Sequence, residues 1–531
     1  MIIDGSKLDA ATIVDAGLCI MGGGVAGIVI AKELSKTFKH IVLIESGGQE
    51  YNSETQSLYA SSKKSSSAYP DTTHSRMRLL GGSSNHWENN TSPFDPIDFE
   101  KREWIPNSGW PIDFKTIEPY YNSAAVYCGT NSDGYNTSSW VKQLGVSDIV
   151  SNSSVLATGT AKAASPPTRF FASYGNELID SSTVRIFVNS NIVDLEYDDA
   201  TGRINKAFFE SKPGVRHEVQ AKVFVLCTGG IENARLLLHF NRQHNNKLGN
   251  AYDNVGRYFM DHPMVRAAHF YPHDKSKLGF YEGVRLKERV VLGFLKLSEK
   301  ALRENKVSNA RMPLIPATNY TISDGISSHH ILMDSFSEGS IPDEFGTHIL
   351  NYIKDVDMVA EAISRRSLGK KLFDHADEIE AYQLAIMVEQ SPHRDNRIIL
   401  SNEKDIFGVP KIEIDYEVKE EDKEGLWKIL EIVAREVGAK GLGRIRLLKE
   451  RSDRVWGDQM GFGHHHMGTT RMSSSSSDGV VDSNLKVYGT KNLYVAGSSV
   501  FPTGGHVPPT LTIVALCIRL AKHLQQESSY V

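Results

Sequence analysis

The chain has 531 residues, a formal net charge of -5 and four cysteines. Because this length exceeds the about 250 to 300 residues that one hydrophobic core usually supports, we expect two domains. A small negative charge without runs of Lys and Arg argues against nucleic acid as a partner. The scattered cysteines predict buried thiols of a reducing, cytoplasmic protein and exclude clustered iron-sulfur or c-type haem sites.

The first predicted elements are a strand, a helix and a second strand. An apolar run at 16–21 predicts a buried parallel strand, residues 25–35 have helical periodicity, and 40–44 is a second apolar strand. The uncharged run 18–31 lacks the positively charged segment that begins a secretory signal peptide. The apolar run 511–518 is far shorter than the about 20 residues of a membrane span, so we predict none.

Three glycines between the first strand and the helix fit the G-x-G-x-x-G fingerprint of dinucleotide binding. Gly22 permits the tight turn, Gly24 lets the backbone approach a pyrophosphate, and Gly27 lets the helix pack closely on the strand. Glu45 ends the second strand, where an acid is expected to bind the ribose hydroxyls. The sequence therefore predicts a dinucleotide site at the N-terminal end of the helix.

The middle of the chain adds further elements to the same sheet. A strand pair is predicted around 184–196 and 207–209, and 223–238 reads as a buried strand, a glycine turn and a helix. Two serine-rich patches, 61–67 and 473–477, predict surface loops.

A second domain is predicted within the first one. Strands such as 289–297 then alternate with helices such as 423–437, which indicates a substrate domain at 268–460. The dinucleotide domain is then discontinuous and comprises 1–267 and 461–531, with parts of the middle section contributing to the substrate domain.

Seven segments spread over nearly the whole chain carry a family resemblance: MGGGVAG with Glu45, LLGGSSNHW, SGWPIDFKTIEPYY, VLCTGGIENARLLL, NVGRYFMDHP, HHHMGTTRM and VVDSNLKVYGTKNLYVAGSSVFPTGGHVPPTLT. With them the chain resembles the glucose-methanol-choline (GMC) family of FAD-dependent oxidoreductases, and most of all its pyranose 2-oxidase-like bacterial branch. The resemblance implies an α/β fold. A Rossmann-like FAD domain would carry an inserted α+β substrate domain built on an antiparallel sheet.

The three consecutive histidines supply a candidate base. Oxidation of an alcohol requires a base of near-neutral pKa for the hydroxyl proton, and histidine suits that task. The family pattern assigns the role to His465, three residues before Gly468. In an extended segment His464 and His466 would share the opposite face. A metal site would need another ligand, and no nearby acid or cysteine in the sequence supplies it, so no metal is predicted.

A partner for the base is expected shortly before the last helix. The family has a second His or Asn there that bonds the same substrate oxygen. The branch pattern places an Asn directly before P-T-L-T, where this chain has Pro508, which cannot donate. The role is therefore assigned to His506, with a packing histidine as the alternative.

The last helix is predicted to begin near Pro509 and Thr510, and its N-terminus suits the negative charge of a reduced flavin. A structural cap is the competing interpretation, and both can hold. Many family members have an acid in the preceding stretch, where this chain has Ala496 and Gly497, so contacts there are expected from the backbone and Ser498.

The segment GGSSNHW predicts a second glycine loop at the flavin. Gly82, Ser83 and Asn85 are expected cofactor contacts. His86 lies where some family members carry a histidine bonded covalently to FAD. Whether His86 forms that bond or only lies beside the flavin stays open.

These residues predict an FAD-dependent oxidase or dehydrogenase that acts on a hydroxyl of a sugar or sugar-like alcohol, by hydride transfer to flavin N5 with a histidine base. A lyase that uses the same pocket without net redox and a non-catalytic FAD-binding protein are the alternatives. The electron acceptor, oxygen or an external carrier, and assembly into a homo-oligomer are left open by the sequence.

Overall fold

The structure is a computed structural model that describes residues 1–8, 12–62, 69–448 and 460–527. In chain order, the described strands are β1 (Ile2–Asp4), β2 (Ile13–Met21), β3 (Ile41–Ile44), β4 (Asn90–Thr91), β5 (Leu156–Ala164), β6 (Val184–Val188), β7 (Asn191–Asp198), β8 (Arg203–Lys212), β9 (Val215–Leu226), β10 (Pro263–Pro272), β11 (Val284–Leu286), β12 (Arg289–Leu297), β13 (Ala310–Arg311), β14 (Leu314–Thr318), β15 (Ile379–Val388), β16 (Arg397–Lys404), β17 (Pro410–Asp415), β18 (Gly443–Leu447), β19 (Gly461–Phe462) and β20 (Leu493–Val495).

The described α-helices are, in the same order, α1 (Val25–Leu34), α2 (Ser53–Ser57), α3 (Pro96–Phe99), α4 (Phe114–Tyr127), α5 (Thr137–Leu144), α6 (Phe170–Asp180), α7 (Glu232–Asn241), α8 (Gly279–Glu282), α9 (Glu299–Asn305), α10 (Asn319–Ile322), α11 (Asp324–Ser337), α12 (Phe345–Lys354), α13 (Val356–Leu368), α14 (Glu420–Ala439) and α15 (Thr510–Gln526).

The largest sheet has a parallel core. Its order is β1-β6-β3-β2-β9-β8-β7, and the strands from β1 to β9 run parallel. The long strand β9 pairs antiparallel with β8 along its first half, and its end pairs parallel with β20 from the C-terminal region. Strand β3 is buried throughout, as expected for a parallel strand covered on both faces.

Antiparallel sheets form the other half of the molecule. Strands β13, β14, β15, β10, β18 and β19 form a six-stranded sheet, and β11, β12, β5 and β4 form a four-stranded one. The middle section contributes β4 and β5 to this half. The hairpin β16–β17 packs against α7 of the parallel half, although it falls within the predicted substrate domain 268–460.

The elements predicted around the glycine fingerprint are confirmed, since β2, α1 and β3 occupy the expected places. The single strand predicted at 184–196 is wrong. It is divided into β6 and β7 because Asn189 has a φ of 53°, in the left-handed region that interrupts a strand. Helices α10 to α13 were not predicted from the sequence.

The four cysteines are buried free thiols, as the sequence predicts. Among the described residues, no helix is both long and apolar enough to cross a membrane. The serine-rich segment 473–477 lies in a loop, whereas residues 63–67 of the other patch lie outside the described residues.

Candidate active site

A cavity of about 760 Å³ lies between the two halves of the molecule. Residues that directly follow strands of the parallel sheet line one side: Gly22 after β2, Glu45 after β3, Cys227 after β9 and Ala496 after β20. The carboxyl ends of parallel strands are the usual ligand site of such sheets. The antiparallel half lines the other side with Met264, Leu292, Pro313, Ile315, Ala385 and Met387.

The three fingerprint glycines have different surroundings. Gly22 has a φ of 115°, and a Cβ there would lie 2.6 Å from the carbonyl oxygen of Cys227. A Cβ on Gly27 would lie 2.0 Å from the Gly22 oxygen, so only glycine allows this helix packing. A Cβ on Gly24 would meet no atom within 4 Å, and Gly24 lines the cavity. Gly24 therefore keeps space open at the N-terminus of α1.

Glu45 is held at the same end of the cavity by backbone donors. Its Oε2 accepts from the Gly23 N–H and its Oε1 from the Gly47 N–H, both at 2.8 Å. Burial raises the pKa of this carboxyl group. Each carboxylate oxygen keeps a further lone pair that can accept a hydroxyl donor.

The second glycine loop lines the cavity through Gly82, Ser83 and His86. Asn85 is a correction to the predicted contacts, because it is not among the lining residues. Its side-chain amide donates to the carbonyl oxygens of Leu80 and Gly82, both at 2.9 Å. Asn85 therefore holds the shape of the turn instead of facing the cavity.

His86 reaches the cavity from this turn. Burial, and then the nearby His464, lower the pKa of the His86 ring. The next residue, Trp87, donates its indole N–H to the Thr168 carbonyl oxygen at 2.7 Å and anchors the loop. The covalent bond to a flavin stays a prediction.

The three consecutive histidines do not alternate as an extended segment would. His464 has a φ of 55°, in the left-handed region, and His464, His465 and His466 all line the cavity. The expectation that only one side of this segment addresses the cavity is therefore wrong. The turn at His464 brings all three residues to the wall of the cavity.

His465 is distinguished from its neighbours by a bond to His262. The Nδ1 atoms of the two rings lie 2.8 Å apart, and His262 Nε2 lies 2.9 Å from the Gly505 carbonyl oxygen. A carbonyl only accepts, so His262 Nε2 carries the proton. Burial lowers the pKa of His262 to about 4, so this ring is neutral at pH 7 and its Nδ1 is bare.

The bare His262 Nδ1 accepts the proton of His465 Nδ1, which leaves the lone pair of His465 on Nε2. Burial first, and then neighbouring charges that include His262 and Arg311, lower the pKa of His465 well below its ordinary value. The ring is therefore neutral at pH 7. His465 Nε2 is the atom of this pair that can take a proton.

Asp261 binds the backbone N–H groups of both histidines. Its Oδ1 accepts from the His262 N–H at 2.6 Å and from the His465 N–H at 2.7 Å, and its other oxygen accepts from Tyr69. Asp261 is also the nearby acid that the sequence analysis missed, because its oxygen lies within 4.8 Å of ring nitrogens of His464 and His466. Both oxygens already accept hydrogen bonds, so we interpret Asp261 as a support for the pair.

His506 is not brought to the cavity, which corrects the expectation that it shares a substrate oxygen with His465. Its side chain is 1% exposed and is not among the lining residues. Asn309 Nδ2 donates to His506 Nδ1 at 3.0 Å, and an Asp98 oxygen lies 3.4 Å from the same nitrogen. These partners fix the ring within the protein beside the His262 site.

The last helix begins where the sequence predicts, and the loop before it lies at the cavity. Helix α15 begins at Thr510, and Pro509 and Thr510 both line the cavity. Gly497 has a φ of 122°, and Ser498 donates its hydroxyl to the His466 carbonyl oxygen at 2.6 Å. The last loop therefore supports the histidine segment as well as the cavity wall.

Besides Asp261, two further residues of this site escaped the sequence analysis. His262 stands in the segment NVGRYFMDHP, where its adjacency to Asp261 was the available signal. Arg311 lies on β13 and lines the cavity, and no motif marks it. Both come from the antiparallel half, whose pairing partners are distant in sequence.

The chain is similar to known proteins in both sequence and fold. Residues 392–517 match the family model described as GMC oxidoreductase. The chain is 23% identical to 2-methyl-1,2-propanediol dehydrogenase of Mycolicibacterium austroafricanum, over 86% of this chain and 82% of that protein. It is 21% identical to 6'''-hydroxyparomomycin C oxidase of Streptomyces lividus, over 96% and 91% of the two chains. The fold is similar to that of pyridoxine 4-oxidase from Mesorbium loti, with a TM-score of 0.53, 16% identity and coverage of 95% and 98%.

Proposed function

We propose that this chain oxidises a hydroxyl of a sugar or sugar-like substrate, with His465 as the base. The chain belongs to the GMC oxidoreductases and is an FAD-dependent enzyme that acts on alcohol groups. The observation that carries this proposal is the Nδ1 to Nδ1 bond of 2.8 Å between His465 and His262 beside the cavity. It leaves a neutral imidazole nitrogen free where a substrate hydroxyl can bind.

The residues around the cavity fit FAD. The space facing Gly24, the N-terminus of α1 and the buried Glu45 suit a pyrophosphate and a ribose. When bound, FAD supplies the acceptor for the carbon-bound hydride. The residues that we propose to hold it, directly or by packing, are Gly22, Gly24, Gly27, Glu45, Gly82, Ser83, His86, Gly497, Ser498, Pro509 and Thr510.

His465 is proposed to take the hydroxyl proton at Nε2. His262 keeps the required tautomer, because its own Nε2 proton is committed to Gly505. The positive charge that forms on His465 stays bonded to the neutral His262 ring through Nδ1. By their names, the Streptomyces relative oxidises 6'''-hydroxyparomomycin C and the Mycolicibacterium relative 2-methyl-1,2-propanediol, which favours a substrate with several hydroxyls here.

An anaerobic screen of sugars, amino sugars and simple alcohols tests the proposal, scored by loss of flavin absorbance. We expect at least one sugar or sugar-like alcohol to bleach the flavin of the wild-type enzyme and to yield the matching carbonyl compound. Turnover of an alcohol without bleaching would favour the lyase. Bleaching by simple alcohols alone would overturn the substrate class.

We further propose that His86 bonds covalently to FAD. It lines the cavity beside Ser83, on a loop that Trp87 anchors. After acid precipitation, the yellow colour should stay in the pellet of the wild type and should be lost from the pellet of His86→Ala. Release of all FAD from the wild type would refute the bond.

A further inference from the structure

Arg311 places a buried cation in the wall of the cavity. Its side chain is 5% exposed, and its guanidinium lies 4.6 Å from the centre of the Phe294 ring. Nη1 donates to Asn90 Oδ1 at 3.1 Å. Nε is buried and without a hydrogen-bond partner among the described residues, and no hydrogen bond from Nη2 is found in the same part of the chain. Arg311 therefore keeps N–H donors that no group of the described residues accepts.

Arg102 shows how this protein otherwise satisfies a buried guanidinium. Its two terminal nitrogens bind both oxygens of Glu389, at 2.7 and 2.6 Å. No ion pair within 4 Å involves Arg311 in the described ranges, and Glu88 is the carboxylate whose charge acts on it. An unpaired buried cation costs free energy, so a partner from outside the chain would be stabilising.

Burial lowers the pKa of Arg311 to about 10, so the group remains a cation at neutral pH. Apolar side chains of the antiparallel half share its side of the cavity: Met264, Leu292, Pro313, Ile315 and Met387. Binding sites for small molecules commonly combine such an apolar wall with a few polar groups that orient the ligand. A guanidinium with N–H donors left without an acceptor can bind a carboxylate.

We propose that Arg311 binds a carboxylate of the substrate, so that the enzyme oxidises a hydroxyl of a hydroxy acid or sugar acid. This inference rests on the proposed function, because the hydroxyl must lie at His465 while the acid lies at Arg311. The charge of Arg311 also acts on both His465 and His262 and contributes to their lowered pKa values. A bound carboxylate would offset that charge and make His465 a stronger base in the complex.

Matched pairs of substrates test this inference on the wild-type holoenzyme. The pairs are glucuronate with glucose, gluconate with glucitol, and lactate with 1,2-propanediol. We expect the acid of at least one pair to reduce the flavin with a second-order rate constant about tenfold or more above that of its neutral partner. This advantage should vanish in Arg311→Met, which keeps the length of the side chain and removes the fork.

Arg471→Met is the matched control. Arg471 is 6% exposed, lies 4.4 Å from the Tyr258 ring and also has an unpartnered buried Nε, but it does not line the cavity. Its replacement should leave the preference for acids unchanged. Arg311→Lys, which keeps the charge without the fork, should retain only part of the preference.

The outcomes separate the two proposals. Reduction by neutral alcohols with no advantage for any acid would overturn the carboxylate site and leave the proposed function standing. Failure of every alcohol, acidic or neutral, to reduce the flavin would overturn both. If Arg311→Met does not fold, the wild type still decides through binding of acetate and acetamide, measured by perturbation of the flavin spectrum. Equal affinity for the two would contradict a carboxylate site.

Discussion

The two ends of the cavity are built in different ways. At the nucleotide end, Gly22, Gly24 and Glu45 lie within one strand-helix-strand unit, and the backbone forms most of the site. At the end proposed for the reaction, His465 meets His262 and Arg311 meets Asn90, and both partners lie far away in the sequence. The first end is a local property of the sequence, whereas the second exists only after the sheets have formed.

The largest effect should come from the reaction end. His465→Ala removes the nitrogen that we propose takes the substrate proton, so flavin reduction should slow by about 10² to 10⁴ while the FAD content stays unchanged. His464→Ala is the control, since His464 lines the same cavity but lacks the bond to His262. Anaerobic stopped-flow measurements with a reducing substrate decide it. Reduction of His465→Ala at the wild-type rate would end the assignment of the base.

The nucleotide end should respond through binding alone. Gly24→Val adds a branched side chain in space that is open to the cavity, and we expect FAD affinity to fall about 100-fold or more in a protein that remains folded. Gly24→Ala, a smaller intrusion, should retain more cofactor. The ratio of flavin absorbance to protein absorbance after purification measures the loss. A Gly24→Val protein with a full complement of FAD would contradict a nucleotide at this position.

His262 tests whether the reaction end depends on a positioned tautomer. His262→Leu removes the acceptor for His465 Nδ1, and we expect flavin reduction to slow by about 10- to 100-fold. Because His262 contacts the His465 ring and fixes its tautomer, the acid limb of the pH profile should move away from its wild-type position in this variant.

His262→Asn is the conservative comparison, since its Oδ1 can replace Nδ1 as an acceptor, and it should recover part of the rate. A purely structural role for His262 would leave the pH profile of both variants at the wild-type position.

The smallest expected effect is that of pH. The rate of flavin reduction should stay nearly constant at mildly acidic pH. An ordinary histidine loses half of its neutral form at pH about 6.5, whereas the pKa of His465 is lowered well below that value. The neutral base therefore persists as the pH falls. Flavin reduction by the free enzyme should decline less than about twofold between about pH 8 and about pH 6.5. A half-maximal rate at pH 6.5 or above would show that His465 is not held neutral as the structure indicates.

The sequence predicts the strand, turn and helix start at the first end almost completely, because these features are separated by few residues. It places His465 but not its surroundings. The alternation rule failed at His464, where a left-handed φ of 55° redirects the segment. His506 lies close to the last loop in sequence, yet Asn309 and Asp98 hold its ring away from the cavity. These contacts depend on strand pairings that no local pattern encodes.

The pairing of β20 with β9 has a consequence for biosynthesis. Strand β20 and helix α15 complete a sheet whose other parallel strands lie in the N-terminal half, and α15 packs against α1 and α4. Until β20 and α15 have left the ribosome, the wall formed by Ala496, Pro509 and Thr510 cannot be in place. The nascent chain therefore has an unfinished sheet until these residues emerge, and it can enclose its cofactor only then.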